Sequence, residues 1–142
     1  SGGDMIAVLD TGDVFRFDSE SLKPKRIAHV PGAFWFACSD LGAGRFAVSS
    51  PTWGEVVLID GGEAYRSFYA GPGVWAVARD DEHLYVGDLF SGRVKVYSAD
   101  TPVRLGSFKL CRRLRSLAAK DGTIFASTRC GLLKTACAPS AS

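Results

Sequence analysis

The sequence of 142 residues contains no asparagine, no glutamine and only one methionine. Depletion of side chains that degrade at high temperature, with arginine more frequent than lysine, indicates a hyperthermophilic and, we expect, archaeal source. A GC-rich genome is the alternative, although it explains the loss of asparagine better than the loss of glutamine. Without asparagine the chain has no acceptor for N-glycosylation.

Long apolar runs are also missing. None approaches the roughly 20 residues that a membrane helix needs, and the start, Ser1-Gly2-Gly3-Asp4, is too polar for a signal peptide. We expect residues 1–4 to be a cloning remnant before Met5 and the protein to be cytoplasmic, with no membrane partner. The net charge of +2 is too small to indicate a nucleic acid partner.

The common catalytic and metal-binding motifs are absent. The chain has no G-x-S-x-G, no P-loop, no G-x-G-x-x-G and no C-x-x-C, and neither of its two histidines has an obvious nucleophile beside it in sequence. We therefore predict no catalytic residues, no metal and no cofactor, and we lean toward a protein that is not an enzyme. A disulfide among Cys111, Cys130 and Cys137 is one option, since hyperthermophiles tolerate intracellular disulfides; buried free thiols are the other.

The sequence repeats with a period of about 40 residues. Four kinds of short run recur, each rich in Val, Ile, Phe or Tyr and bounded by Gly, Asp, Ser or Pro. The first kind begins at Phe34, Val74 and Leu114; the second at Ile6, Phe46, Leu84 and Ile124; the third at Val14, Val56 and Val94; a looser fourth at Lys25, Tyr65 and Val103. Four short strands per repeat of this length are typical of a β-propeller blade.

These runs predict an all-β fold of four-stranded antiparallel blades. With strands lettered a to d from the central channel outward, the chain reads b-c-d, a-b-c-d, a-b-c-d, a-b-c, or 14 strands. We predict one partial propeller over residues 5–142, with repeats at approximately 5–33, 34–73, 74–113 and 114–142.

One segment carries a family resemblance. Residues 84–97, LYVGDLFSGRVKVY, resemble the b–c hairpin of an NHL repeat, and the chain as a whole resembles the NHL/YVTN/SMP-30-like propellers. The resemblance implies a propeller but no activity, because such propellers include enzymes, sensors and adaptors. SMP-30-like lactonases hold a divalent metal with acidic and asparagine ligands, and a chain without asparagine departs from that pattern.

The predicted ring is incomplete. Propellers of this group have six or seven blades, whereas this chain supplies about three and a half, which would leave strand edges and a blade face uncovered. We expect a second copy, a partner chain or the rest of a longer protein to cover them. Two copies supply 28 strands, enough for seven four-stranded blades or for eight blades of which two per chain have three strands.

Exposed aromatic residues at the loop tips are candidates for a binding face. Trp53 and Phe90 lie at b–c tips, where they predict a protein-binding patch unless they fold back on neighbouring blades. Trp35, Trp75 and Arg115 share one repeat position at the start of the innermost strand. They would suit an anionic or planar ligand at the channel mouth, with packing between blades as the alternative.

The only dense basic cluster comprises Lys109, Arg112, Arg113 and Arg115. It would bind phosphate or an acidic partner, or else serve as a solvated loop or an ion-pair network. Our first hypothesis for function is a non-enzymatic interaction scaffold whose ring is completed by self-association or by a partner chain. The alternatives are part of an SMP-30-like lactonase or hydrolase with a channel-mouth site, and a sensor of a small anion.

Overall fold

The computed structural model describes residues 5–30, 37–60, 63–101, 103–110, 113–128 and 131–136. These residues form 14 strands and no helix, so the all-β prediction is confirmed. The first seven strands are β1 Met5–Val8, β2 Asp13–Phe17, β3 Pro24–His29, β4 Ala37–Gly42, β5 Arg45–Ser50, β6 Glu55–Asp60 and β7 Glu63–Tyr69. The other seven are β8 Val74–Arg79, β9 His83–Asp88, β10 Arg93–Ser98, β11 Arg104–Lys109, β12 Leu114–Lys120, β13 Thr123–Thr128 and β14 Gly131–Ala136.

The strands form four separate antiparallel sheets. Strands β1–β3 make the first sheet, β4–β7 the second, β8–β11 the third and β12–β14 the fourth. Each sheet is a meander in which every strand pairs with the next one along the chain, as short connections between antiparallel strands require. Within the described residues there is thus no helix whose length and apolarity would let it cross a bilayer.

The turns between the second and third kinds of run are tight and set the strand register. The amide of Gly54 donates to the Ser50 carbonyl at 2.8 Å, and the amide of Gly92 donates to the Asp88 carbonyl at 3.1 Å. Gly54 has a φ of 68° and lies so close to the chain that a Cβ atom there would come within 2.8 Å of the Gly71 backbone. Only glycine readily adopts this positive φ and also fits in the small space beside Gly71.

The structure shifts the predicted alignment of β1, which matched Ile6 with Phe46 of the second sheet, by one residue. In the first sheet the amide of Gly12 bonds to the carbonyl of Leu9, three residues back, so this turn is one residue shorter than the two just described. Val8 therefore pairs with Val14, whereas Ser49 pairs with Val56 at the matching place in the second sheet. A shift of one residue exchanges the two faces of a strand.

The core lies between the sheets, in three apolar clusters. Each cluster joins one pair of successive sheets: Val14, Phe46 and Ile59 belong to the first cluster, Leu58, Val77 and Val86 to the second, and Tyr85, Val94 and Ile124 to the third. Neighbouring residues on one strand belong to different clusters, because successive side chains point to opposite faces. The second and third sheets are consequently covered by apolar neighbours on both faces.

Polar contacts reinforce the boundary between the second and third sheets. The Ser49 hydroxyl donates to the Trp75 carbonyl at 2.6 Å, and the Ser39 hydroxyl accepts the amide of Val77 at 3.1 Å. The Lys95 ammonium group donates to the Ala70 carbonyl. Burial lowers the pKa of Lys95, the positive charges of Arg104 and Arg93 lower it further, and Asp88 opposes them.

The third and fourth sheets are tied together by Asp80, which follows β8. One carboxylate oxygen accepts the amides of Glu82 at 3.0 Å and His83 at 2.8 Å, while the other accepts the Tyr85 hydroxyl at 2.8 Å and the Gly122 amide at 3.2 Å. The Asp80 side chain is only 6% exposed. Burial raises its pKa, but the hydrogen bonds outweigh that effect and hold the pKa below the usual 3.8.

We predict that Asp80→Asn loses about 1–3 kcal/mol of unfolding free energy at pH 7, because charge-assisted hydrogen bonds weaken. A carboxylate with a depressed pKa contributes stability above its unfolded pKa, and this contribution is lost as the pH falls through the folded value. The difference between wild type and variant should therefore shrink below about pH 4. Denaturant unfolding at pH 7 and pH 3 measures it, and a difference that stays constant would contradict the role of the charge.

Gly87 provides a second test of the boundary between the third and fourth sheets. A Cβ atom at this position would lie 2.2 Å from Cδ2 of Leu114 and 3.1 Å from Cδ1 of Leu117, and Leu114 is fully buried. We predict that Gly87→Ala costs about 1–3 kcal/mol of unfolding free energy through overpacking.

Gly106→Ala is the matched control, because nothing lies within 4 Å of a Cβ atom there. It should change the unfolding free energy by less than about 0.5 kcal/mol. Both variants are to be unfolded in urea at one protein concentration. Equal losses of unfolding free energy in the two variants would rule out the close approach of Leu114 to Gly87 as the cause of the destabilisation.

Candidate functional site

A cleft of about 1220 Å³ opens at one end of the third and fourth sheets. The described residues that line it are Trp75, Leu89, Phe90, Ser91, Arg93, Lys109, Arg113 and Arg115. Four of the eight carry a positive charge, two are aromatic, and none is acidic. A concave site with a few aromatic and charged groups is the usual form of a small-molecule site.

The meander brings these residues to the same end of two sheets. Trp75 and Arg115 are the second residues of β8 and β12, and Arg93 is the first residue of β10. Lys109 is the last residue of β11, whose direction is opposite. In antiparallel sheets the starts of alternate strands lie beside the ends of the strands between them, so residues 40 positions apart become neighbours.

The turn between β9 and β10 supplies Phe90 to the cleft. The carboxylate of Asp88 accepts the amides of Phe90 at 2.7 Å and Ser91 at 2.9 Å, and this Asx-type turn fixes the backbone. The Phe90 side chain is 73% exposed. An exposed aromatic ring on a fixed turn offers a binding surface with little conformational entropy to lose.

The four cations of the cleft form no ion pair with any described residue. The ion pairs in the described part of the chain use Arg26 and Arg45, His29 and His83 each lie beside an aspartate, and none of these contacts involves a cation of the cleft. Arg93 donates a hydrogen bond to the Ser107 hydroxyl at 3.2 Å, which holds the guanidinium without neutralising it. The cleft therefore favours negatively charged ligands.

The structure brings together five of the residues singled out in the sequence: Trp75, Phe90, Lys109, Arg113 and Arg115. Trp53 is 60% exposed on the turn between β5 and β6 and does not line the cleft. The other five candidates, Trp35, Arg112, Cys111, Cys130 and Cys137, lie outside the described residues, so the predictions that rest on them stay predictions.

Sequence reasoning missed Arg93 as part of the site. It is a lone arginine at the start of a c strand, where it reads as a solvated edge residue. The available signal was its place in the repeat, since it follows directly after the loop tip that carries Phe90.

Cys38 is the cysteine that the described part of the chain contains. Cys38 is partly buried against the first apolar cluster, and burial, with a smaller effect of Asp40, raises its pKa to about 12. Its thiol therefore stays protonated at neutral pH. Among the described residues, no three His, Cys, Asp or Glu side chains are grouped so that they could hold a metal ion.

Comparison with known proteins identifies a fold but no family. No protein-family profile matches the chain, and no curated protein matches it. The crystal structure of the computationally designed Ika4 protein is similar, with a TM-score of 0.67 and 14% sequence identity over 97% of this chain and 88% of that chain. At that identity the likeness concerns the fold alone.

Proposed function

We propose that the chain is a non-enzymatic interaction scaffold. In this proposal the four sheets are blades of a β-propeller, and a second copy of the chain closes the ring. The observation that carries it is that the outward faces of the first and fourth sheets match faces that pack against each other inside the chain. The 40-residue repeat and the resemblance of residues 84–97 to an NHL repeat support the propeller arrangement.

The outward face of the first sheet has the pattern of a packing face. Ala7 pairs with Phe15, and Met5 pairs with Phe17, on the side opposite to Val14, which packs against the second sheet. The corresponding pairs of the second sheet are Val48 with Val57 and Phe46 with Ile59, and all four of these side chains are buried in the first cluster. The same positions in the first sheet are apolar but partly exposed, and Met5 is 55% exposed.

The outward face of the fourth sheet carries one apolar pair at the corresponding place, beside the hydrogen-bonded hydroxyls of Ser116 and Ser127. Ile124 and Ala126 are buried against the third sheet, so Phe125 between them points to the other side. Phe125 pairs with Ala118, as Tyr85 pairs with Ala78 in the third sheet. Tyr85 and Ala78 are buried against the fourth sheet, whereas Ala118 is exposed and Phe125 is 36% exposed.

These two faces would pack as the three inner pairs of sheets do. A contact between different faces of two copies is heterologous, and it produces a closed ring when the rotation per copy divides a full turn. With four separate sheets in each chain, two copies give a ring of eight sheets. This arrangement favours eight blades over seven, because it needs no sheet to be shared between the copies.

We predict a mass of about 30 kDa by light scattering on a sizing column, twice the 15.2 kDa of one chain. A mass near 15 kDa, or a distribution of larger species, would overturn closure by two copies. Turnover of lactones by the purified protein would overturn the non-enzymatic scaffold and favour the lactonase alternative.

Substitution on either outward face should separate the copies. We expect Ala118→Glu and Ala7→Glu each to bring the mass close to 15 kDa, because each buries an unpaired charge at both contacts of the ring. Ala118 is exposed, so its substitution leaves the fold of the single chain intact. Ala43→Glu is the matched control, on an exposed turn between β4 and β5, and it should keep the wild-type mass.

A further inference from the structure

The cleft between the third and fourth sheets combines stacking surfaces with unpaired cations, and neither feature is needed for closing a ring. We propose that it binds a small phosphorylated aromatic molecule of the nucleoside diphosphate class. All the residues used come from one chain, so the proposal is independent of self-association and can fail or succeed without it.

The phosphate groups are assigned to the four basic residues of the cleft. Arg93, Lys109, Arg113 and Arg115 line it, all four are exposed, and none belongs to an ion pair among the described residues. Guanidinium groups bind phosphate oxygens through two parallel hydrogen bonds, and the lysine adds a point charge. A terminal phosphate with a pKa near 6 is doubly charged at neutral pH, so the four cations balance a diphosphate well.

The aromatic group is assigned to Trp75 and Phe90. Both line the same cleft as the cations, and the Phe90 ring is largely exposed on a turn that the Asp88 carboxylate holds in place. Stacking on such rings is favourable for any flat base and needs no matching of base edges. The site should therefore discriminate weakly between bases but strongly between a nucleotide and a bare phosphate.

The size and position of the cleft favour a small molecule over a nucleic acid strand. A volume of about 1220 Å³ accommodates a base, a sugar and two phosphates, and it far exceeds what inorganic phosphate requires. A strand needs a positive groove that continues along the surface. The net charge of the whole chain is only +2, and the four cations on which the proposal rests line this single cleft.

Titration calorimetry with ADP, pyrophosphate and adenosine tests the proposal on the purified wild-type chain. We expect ADP to bind at least tenfold more tightly than either of the other two, and to bind more weakly as salt is raised. Equal affinity for ADP and pyrophosphate would remove the stacking role and overturn the proposal. Tighter binding of an oligothymidylate than of ADP would overturn it in favour of a single-stranded nucleic acid.

Variants assign the two halves of the ligand. Phe90→Ala should weaken the binding of ADP at least tenfold and leave the binding of pyrophosphate unchanged. Arg115→Ala should weaken the binding of both ligands. Arg104→Ala is the matched control, since Arg104 is exposed on β11 and does not line the cleft. All three side chains are exposed, so the fold should survive. A loss with Arg104→Ala as large as that with Arg115→Ala would show non-specific attraction and count against a defined site.

Discussion

The second and third sheets are apolar on both faces, and that constraint organises the rest of the structure. In β5 and β6, residues on one face are buried against the first sheet and the alternate residues against the third. A sheet of this kind cannot be stable with one face in water, because apolar area exposed on either side costs free energy. The sheets therefore stack in chain order, each covering the next. The same constraint gives the outward faces of the first and fourth sheets their apolar positions, and our proposal of a second copy follows from it.

Stacking alone does not fix how one sheet sits on the next; a few polar contacts do. Ser49 and Ser39 each bond to the backbone of β8, and Asp80 bonds both to its own hairpin and to Gly122 in the neighbouring sheet. Such bonds are directional, whereas apolar contact is not. They lie at defined positions of the repeat and so keep the strand ends of neighbouring sheets level. The cleft depends on that alignment, because its cations come from the ends of strands in two different sheets.

Much of the fold was predictable from the residues. Runs such as Leu84–Asp88 and Val94–Ser98 alternate apolar side chains between two faces, and Gly92, with its positive φ, lies in the turn between them. Both strand type and approximate bounds therefore follow from local chemistry. The register of β1 did not follow, since Leu9 and Asp10 are compatible with either a three-residue or a four-residue turn. The backbone hydrogen bond of Gly12 decided the matter, and it depends on how β1 lies beside β2. Within the cleft, the aromatic residues and the clustered basic residues were each predictable from the sequence as candidate site residues, whereas Arg93 was not.

The sequence by itself determined the strands, because these depend on alternation and turn chemistry within short runs. The recurrence of those runs about every 40 residues then determined the repeat and the number of sheets. Only the tertiary structure decided which side chains meet. Trp75, Phe90 and Arg115 lie in three different strands or turns. They converge because the meander returns every second strand to the same end of the sheet. The absence of ionic partners for the cleft cations among the described residues is equally a property of three-dimensional placement, since a charge balance of 17 to 15 along the chain would allow each of them a partner.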